Sequence, residues 1–168
     1  MNNKLKLRLM GIVFFSVYFL DRITKILAFR YLSDKNLTFL WDTIRLTYTE
    51  NQGAFLGMGS GLSDVLRPLM LIVIPSVFML LFIYYCIYHE QDKISVILIT
   101  SILAGGIANI QDRVFNSGKV IDFLNFGIGS LRTGILNIAD VAITFGGIFF
   151  IIREIKKHRV KNAGGKNV

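Results

Sequence analysis

Apolar residues in this chain form four long stretches, and most of the charged residues lie between or beyond them. The stretches cover residues 9–27, 66–88, 94–110 and 138–152. About twenty apolar residues in a helix cross the hydrocarbon core of a bilayer, so the last two stretches are slightly short. We therefore predict an all-α membrane protein with four transmembrane helices, forming one integral-membrane domain over residues 1–168.

The segment between the first two apolar stretches has a different pattern. Residues 37–41 and 44–49 are rich in β-branched and aromatic side chains, and the second run alternates apolar and polar positions. A period of two is typical of a half-buried strand. Four glycines between positions 53 and 61 then favour a loop. We expect residues 28–64 to add a small extracytoplasmic β-rich cradle and loop to the helices.

Positive charge is concentrated at the two ends of the chain, which has 168 residues, a net charge of +8 and a mean hydropathy of +0.55. Lysines and arginines that flank apolar stretches mark the cytoplasmic side of a membrane protein. With four spans, both termini are then cytoplasmic, and residues 28–64 and 112–137 lie on the opposite face. This distribution of charge also argues against nucleic acid as a partner.

The first apolar stretch follows basic residues, as the core of a cleaved secretory signal peptide does. However, no small-residue cleavage site comes after it. Instead, Asp21 and Lys25 follow at a spacing of four, which places them on one helix face where they can pair. We interpret the stretch as an uncleaved membrane helix with a charged outer end.

Residues for several other chemistries are poorly placed in this chain. Cys86 lies within an apolar run and is best interpreted as a small buried hydrophobic residue. His89 and His158 lie in polar segments on the predicted cytoplasmic side, which disfavours a histidine metal site. The glycines at 57–61 lack the lysine and serine of a phosphate-binding loop. We expect no metal ion and no cofactor.

Four aspartates meet at one membrane boundary in this topology. Asp21 closes the first stretch, Asp112 follows the third, Asp140 opens the fourth, and Asp122 lies between the last two. A charge at the centre of a membrane helix costs about 2.5–3.5 kcal/mol on insertion scales, so it indicates a function or a fixed partner. The convergence follows from the topology and not from any motif.

Asp122 and Asp140 are the candidate catalytic pair. Two carboxyl groups in a site of low dielectric constant do not both ionise, so one retains its proton. The ionised group can activate water while the protonated group donates to a carbonyl oxygen, which is the chemistry of aspartic proteases. The structural alternative is that each aspartate caps a helix or pairs with an arginine.

Polar side chains lie one helical turn from these aspartates. Asn137 precedes Asp140 by three positions, and Asn109 precedes Asp112 and Arg113 by three and four positions. Each set therefore shares one helix face. These side chains either hold loops and substrate beside the aspartate pair or form a polar packing seam between helices.

Five short motifs occur in a characteristic order. They are Asp21-Arg-Ile-Thr-Lys25, Asn51-Gln-Gly-Ala-Phe55, Gly105-Gly-Ile-Ala-Asn-Ile-Gln-Asp-Arg113, Val120-Ile-Asp-Phe123 and Asn137-Ile-Ala-Asp140. In their order, and in a chain of this size, they resemble the motifs of the lipoprotein signal peptidase family, also called signal peptidase II. The resemblance implies a bacterial inner-membrane aspartyl endopeptidase that needs no cofactor. It removes the signal peptide from diacylglyceryl-modified prolipoproteins by cleaving before the lipidated cysteine.

The resemblance also implies roles for individual residues. Asp122 and Asp140 become the catalytic dyad, near the extracytoplasmic face. The positions that shape the site and hold substrate become Asp21, Lys25, Asn51, Gly53, Asn109, Asp112, Arg113, Asn137 and Ala139. Membrane lipid and the inhibitor globomycin are implied as partners, and we expect a monomer. The chain departs from the family pattern at Arg22, Ala108, Leu136 and Val141, none of which removes a carboxylate.

Two other functions are compatible with intramembrane aspartates. One is a small proton- or ion-coupled transporter subunit, because such carboxylates also relay protons. The other is an assembly factor whose polar seam only packs helices. A transporter predicts carboxylates distributed through the depth of the membrane, whereas those of this chain lie near one end of the stretches.

Overall fold

The computed structural model describes residues 1–54, 57–89 and 92–164. Within these ranges the chain is mostly helical, with a small antiparallel sheet. The helices are α1 (Asn3–Leu32), α2 (Leu66–Tyr88), α3 (Lys93–Phe115) and α4 (Ile138–Gly164). The strands are β1 (Leu37–Phe39), β2 (Ile44–Asn51), β3 (Val120–Ile128) and β4 (Leu131–Arg132).

Helix α3 is the centre of the helical layer and contacts α1, α2 and α4. Val96, Ile99 and Leu103 on its buried face form an apolar cluster with Cys86 of α2, as expected for a buried cysteine. The backbones of α3 and α4 approach most closely at Gly105, where an added Cβ would lie 2.6 Å from the carbonyl oxygen of Ala139. This close contact fixes the start of α4 against α3.

The outer faces of the helices carry large exposed apolar side chains. Of the most apolar 18-residue stretch of α2, only 6% is buried within the protein. Phe78, Leu80 and Tyr84 on this helix are each more than half exposed. A contiguous exposed apolar surface of this kind needs an apolar surrounding. Helices α2 and α3 are long and apolar enough to cross a membrane.

Helix α2 contains one irregular turn, a π-helical segment over Leu69–Val73. Pro75 follows it and has no backbone N–H to continue the regular hydrogen-bond pattern. The hydroxyl of Ser76 donates to the carbonyl oxygen of Ile72 at 2.7 Å, so the side chain satisfies one carbonyl of the distorted turn.

The sheet has the strand order β1-β2-β3-β4, and every neighbouring pair is antiparallel. It packs on the end of α1 through Ala28, Leu32 and Phe123. The strand expected at residues 44–49 is present and extends to Asn51. The strand expected at 37–41 ends at Phe39, because Leu40 and the two residues after it adopt positive φ angles and form the turn.

Candidate active site

Asp122 and Asp140 line one cavity of about 440 Å³ where the sheet meets the helices. Asp122 comes from β3 and is 2% exposed, while Asp140 comes from the first turn of α4. Residues 18 positions apart in sequence are thus brought to one site by the turn back from β3 through β4 to α4.

Neutral amide groups surround the carboxyl group of Asp122. Asn51 donates from Nδ2 to Asp122 Oδ2 at 2.9 Å, and Asn137 donates from Nδ2 to Asp122 Oδ1 at 2.7 Å. Burial, followed by the nearby charge of Asp140, raises the pKa of Asp122 to about 6, against the lowering effect of these hydrogen bonds and of Lys25. Asp122 therefore titrates close to neutral pH.

Asp140 is held by the start of its own helix. Its Oδ2 accepts a hydrogen bond from the backbone N–H of Asn137 at 3.1 Å, and the side chain of Asn137 accepts from the backbone N–H of Asp140 at 2.8 Å. This reciprocal pair is a capping box. Asp140 Oδ1 accepts from Nδ2 of Asn109 at 2.8 Å and also faces the shared cavity. Asp140 therefore has the helix-capping role considered from the sequence and a place in the candidate site.

Asn137 connects the two carboxyl groups. Its side chain is fully buried, and its Nδ2 lies 2.7 Å from Asp122 and 3.2 Å from Asn109 Oδ1. Its backbone N–H donates to the carboxylate of Asp140, and its side-chain oxygen accepts from the backbone N–H of Asp140. One asparagine thus fixes both aspartates and the start of α4.

A cluster of buried charges supports the site from α1 and α3. Lys25 is 1% exposed, and its Nζ lies 2.8 Å from Asp21 Oδ2, 2.7 Å from Asp112 Oδ2 and 3.0 Å from Asn109 Oδ1. Arg22 pairs with Asp112 and, at 3.4 Å, with Asp21. The predicted pair of Asp21 and Lys25 is therefore present as part of a larger network.

Asp21 also positions the backbone beside Asp140. Its Oδ1 accepts a hydrogen bond from the backbone N–H of Ala139 at 2.9 Å. An N–H at a helix start has no partner within the helix, so this carboxylate satisfies it from another element. Ala139 is fully buried, and its carbonyl oxygen lies so close to Gly105 that no side chain fits at position 105.

Arg113 joins α3 to the loop that follows β2. Its guanidinium donates to the carbonyl oxygen of Gly53, and it lines the cavity beside the aspartates. The side chain of Asn51 accepts from the backbone N–H of Gly53 at 2.8 Å. An added Cβ at Gly53 would lie 2.7 Å from the carbonyl oxygen of Met58, so only glycine fits this position without a shift.

All eleven site residues predicted from the sequence belong to this cavity or to the hydrogen-bond network behind it. Sequence reasoning missed the role of Arg22, which it noted only as a departure although the residue lies next to Asp21. It also missed the cavity wall of α2, formed by Leu71, Pro75 and Met79, because apolar residues in an apolar helix carry no distinguishing pattern. Among the described residues, no group of three or more histidine, cysteine, aspartate or glutamate side chains is placed to hold a metal ion.

Comparisons with known proteins agree with this arrangement. The family model described as signal peptidase (SPase) II matches residues 13–156. The lipoprotein signal peptidase of Borrelia hermsii is 35% identical over 156 residues, which cover 88% of this chain and 91% of that protein. The lipoprotein signal peptidase of Thermodesulfovibrio yellowstonii is 31% identical over 153 residues, which cover 91% of this chain and 99% of that protein.

A solved structure shares the fold. It is described as a bacterial membrane enzyme determined by the in meso method at 2.3 Å resolution, and it aligns with a TM-score of 0.78 and 26% identity. The alignment covers 89% of this chain and 88% of that one. Together with the family match, this shows that the chain belongs to the lipoprotein signal peptidase (signal peptidase II) family of peptidases.

Proposed function

We propose that this protein is an intramembrane aspartyl endopeptidase that removes the signal peptide from diacylglyceryl-modified prolipoproteins by cleaving before the lipidated cysteine. The observation that carries the proposal is the pair of Asp122 and Asp140, which line one cavity and are bonded by asparagine amides. The names of the relatives support the substrate class.

The reaction needs one proton shared between the two carboxyl groups. The pKa of Asp122, raised to about 6, supports such sharing near neutral pH. The ionised carboxylate accepts a proton from water while the water oxygen attacks the scissile carbonyl carbon. The protonated carboxyl donates to the carbonyl oxygen. When the C–N bond of the tetrahedral intermediate breaks, the departing amine takes up a proton from the dyad, and a hydroxyl of the intermediate returns its proton to the other carboxylate as the new carbonyl forms.

The cavity suits an apolar substrate segment. Leu71, Pro75 and Met79 of α2 face it from one side and Ile143 of α4 from another. These side chains provide an apolar surface for the signal peptide and the acyl chains, while Arg113 and the asparagines provide polar contacts to the backbone near the cleaved bond. No residue of this reaction requires a metal ion, so we expect cleavage to continue in the presence of a chelator.

The contacts support a four-span topology with both termini in the cytoplasm. Lys6, near the start of α1, lies 3.4 Å from the carbonyl oxygens of Ile87 and His89, and Arg153 of α4 lies 2.8 Å from Asp92. Both basic ends therefore meet the turn between α2 and α3, at the opposite end of the helices from the aspartate pair. We place the protein in the bacterial cytoplasmic membrane, as a monomer, with the site near the outer face.

The test is cleavage of a diacylglyceryl-modified precursor by purified protein in lipid vesicles. We expect wild-type protein to release the signal peptide, and Asp122→Asn and Asp140→Asn to lower kcat by roughly 1,000-fold or more, because the two carboxyl groups act as one unit. The exposed Asp42 of the β1–β2 turn is the matched control, since Asp42→Asn makes the same chemical change away from the cavity. We expect globomycin to inhibit the wild-type protein.

Equal cleavage by all these variants would place the catalytic groups elsewhere. If the folded wild-type protein released no signal peptide but moved protons across the vesicle membrane, the transporter interpretation would replace the peptidase. If both aspartate variants lost their fold together, the polar seam of an assembly factor would explain the site better.

A further inference from the structure

A second cavity, of about 610 Å³, adjoins Asp122 on the side of the sheet and its loops. It shares Asn51, Asp122 and Ile135 with the first cavity. The rest of its described lining is polar or glycine: Thr49, Glu50, Gln52, Gly57, Ser60, Lys119 and Gly134. The first cavity, by contrast, has apolar walls from the helices. Two cavities thus meet at one candidate catalytic carboxyl group, and the second is lined by more polar side chains than the first.

An ion pair marks the wall of the polar cavity. Lys119 Nζ lies 2.7 Å from Glu50 Oε2, and both side chains are about one third exposed. The hydroxyl of Tyr48 donates to the other carboxylate oxygen of Glu50 at 2.8 Å. The hydrogen bond from Lys119, followed by that from Tyr48, keeps the pKa of Glu50 below its ordinary value. Glu50 therefore carries its negative charge at neutral pH.

The register of the sheet places this pair beside the candidate catalytic residues. Asn51 pairs with Val120, and Glu50 pairs with Ile121. Glu50 therefore lies next to Asn51, which donates a hydrogen bond to Asp122. Lys119 immediately precedes β3, three residues before Asp122. A substrate chain with an atom beside Asp122 reaches this ion pair within its next few residues, because an extended chain advances about 3.3 Å per residue.

We propose that the polar cavity binds the first residues of the mature lipoprotein, those that follow the lipidated cysteine, and that Glu50 and Lys119 determine which charge is accepted there. The inference rests on the proposed function. The cleaved bond must lie beside Asp122, whose carboxyl group lines both cavities. The signal peptide is apolar and suits the apolar cavity, so the chain on the other side of the bond continues into the polar one.

The ion pair predicts how the wild-type protein treats charged substrates. Because Glu50 and Lys119 neutralise each other, the wild-type cavity has no net preference between an acidic and a basic residue. Reversing one charge leaves two like charges in the wall. Lys119→Glu then favours a basic mature segment, and Glu50→Lys favours an acidic one. Exchanging both residues restores the balance.

The experiment uses two diacylglyceryl-modified precursors that differ only at the second position after the lipidated cysteine, one with aspartate and one with lysine. The measured quantity is the ratio of their kcat/KM values with protein in neutral lipid vesicles. We expect a ratio near one for wild type and shifts of about three- to fivefold in opposite directions for Lys119→Glu and Glu50→Lys, as suits a partly exposed charge pair. The double exchange returns the ratio to near one.

The control is Arg45→Glu, which reverses a charge in β2 at the other end of the sheet, where Arg45 pairs with Asp42. It is expected to leave the ratio unchanged. Ratios within twofold of wild type for both single variants would overturn the inference. A parallel fall in cleavage of both precursors would also overturn it, since that indicates a structural role for the pair. Absence of cleavage by folded wild-type protein would overturn the proposed function and this inference with it.

Discussion

Two pairs of aspartates lie within the same hydrogen-bond network but have opposite surroundings. Asp21 and Asp112 contact two cations, Lys25 and Arg22, at ion-pair distance. Asp122 and Asp140 accept their hydrogen bonds from asparagine amides and backbone groups. All four residues are aspartates, three of them buried and Asp140 half-buried, so the main difference between the pairs lies in their partners.

The comparison teaches that the position of the cations decides the role of each carboxyl group. The first pair is balanced by as many positive as negative side chains, so its carboxyl groups are committed to ion pairs. Amide donors supply only partial charges, so burial and mutual repulsion favour one retained proton in the second pair. We infer that the first pair holds the helices together and that the second is left free for proton transfer.

The largest expected effect comes from removing the shared cation of the first pair. Lys25→Met removes the buried cation and leaves the two buried carboxylates with only the partly exposed Arg22, and breaking such a buried ion pair typically costs about 3–5 kcal/mol of stability. We expect a correspondingly lower unfolding midpoint in detergent micelles. Lys119→Met is the matched control, because Lys119 pairs on the partly exposed sheet surface, where such a pair contributes about 0–1 kcal/mol. Equal midpoints for the two variants would contradict the structural role of the first pair.

The second prediction concerns the pH dependence of stability. The pKa of Asp122 is raised from 3.8 to about 6, so its contribution to stability is fully present below pH 4 and is lost as the pH rises through 6. Asp122→Asn does not titrate. The stability of this variant relative to wild type should therefore rise by about 2–2.5 kcal/mol between pH 4 and pH 7. Chemical unfolding across this range measures the difference, and a constant difference would place Asp122 in an ordinary, solvated setting.

The third prediction separates the two roles of Asn137. Asn137→Ala removes the cap of α4, at a cost of about 1–2 kcal/mol, and the donor to Asp122. Asn137→Ser restores a cap but has no amide to reach Asp122. We expect the serine variant to recover the stability but to retain a kcat lowered by about 100-fold, because the aspartates lose their common position. Recovery of both properties would show that Asn137 acts only as a cap.

The smallest expected effect is that of Arg22→Gln. Arg22 is the second cation of the first pair and is about one quarter exposed, so solvent moderates its loss. Glutamine keeps an amide donor for Asp112, and we expect a loss of stability of about 1 kcal/mol or less with little change in kcat. A loss as large as that of Lys25→Met would show that the two cations contribute equally.

Local patterns in the sequence were sufficient for the helices and for β2. The motifs that resemble the family pointed to eleven residues that the structure places in one cavity and its hydrogen-bond network, and their roles stay a prediction. Local patterns were not sufficient for β3 and β4. Val120–Ile128 contains β-branched and aromatic side chains, but its buried and half-buried positions do not alternate regularly, so it lacks the period of two that marks β2. Its pairing with β2, about 70 positions earlier in the chain, is what makes the segment a strand, and no local pattern shows that pairing.

The sequence by itself determined where apolar helices form and that four aspartates lie near their ends, because hydropathy and helical spacing are local properties. Helical spacing already placed Lys25 beside Asp21, but only the tertiary structure decided that Asp112 joins this ion pair while Asp122 and Asp140 meet amides. Arg22 contacts Asp112 across 90 positions, and Asp21 contacts Ala139 across 118. The ionisation of each carboxyl group depends on such contacts, since charge and burial act through distance in space and not along the chain.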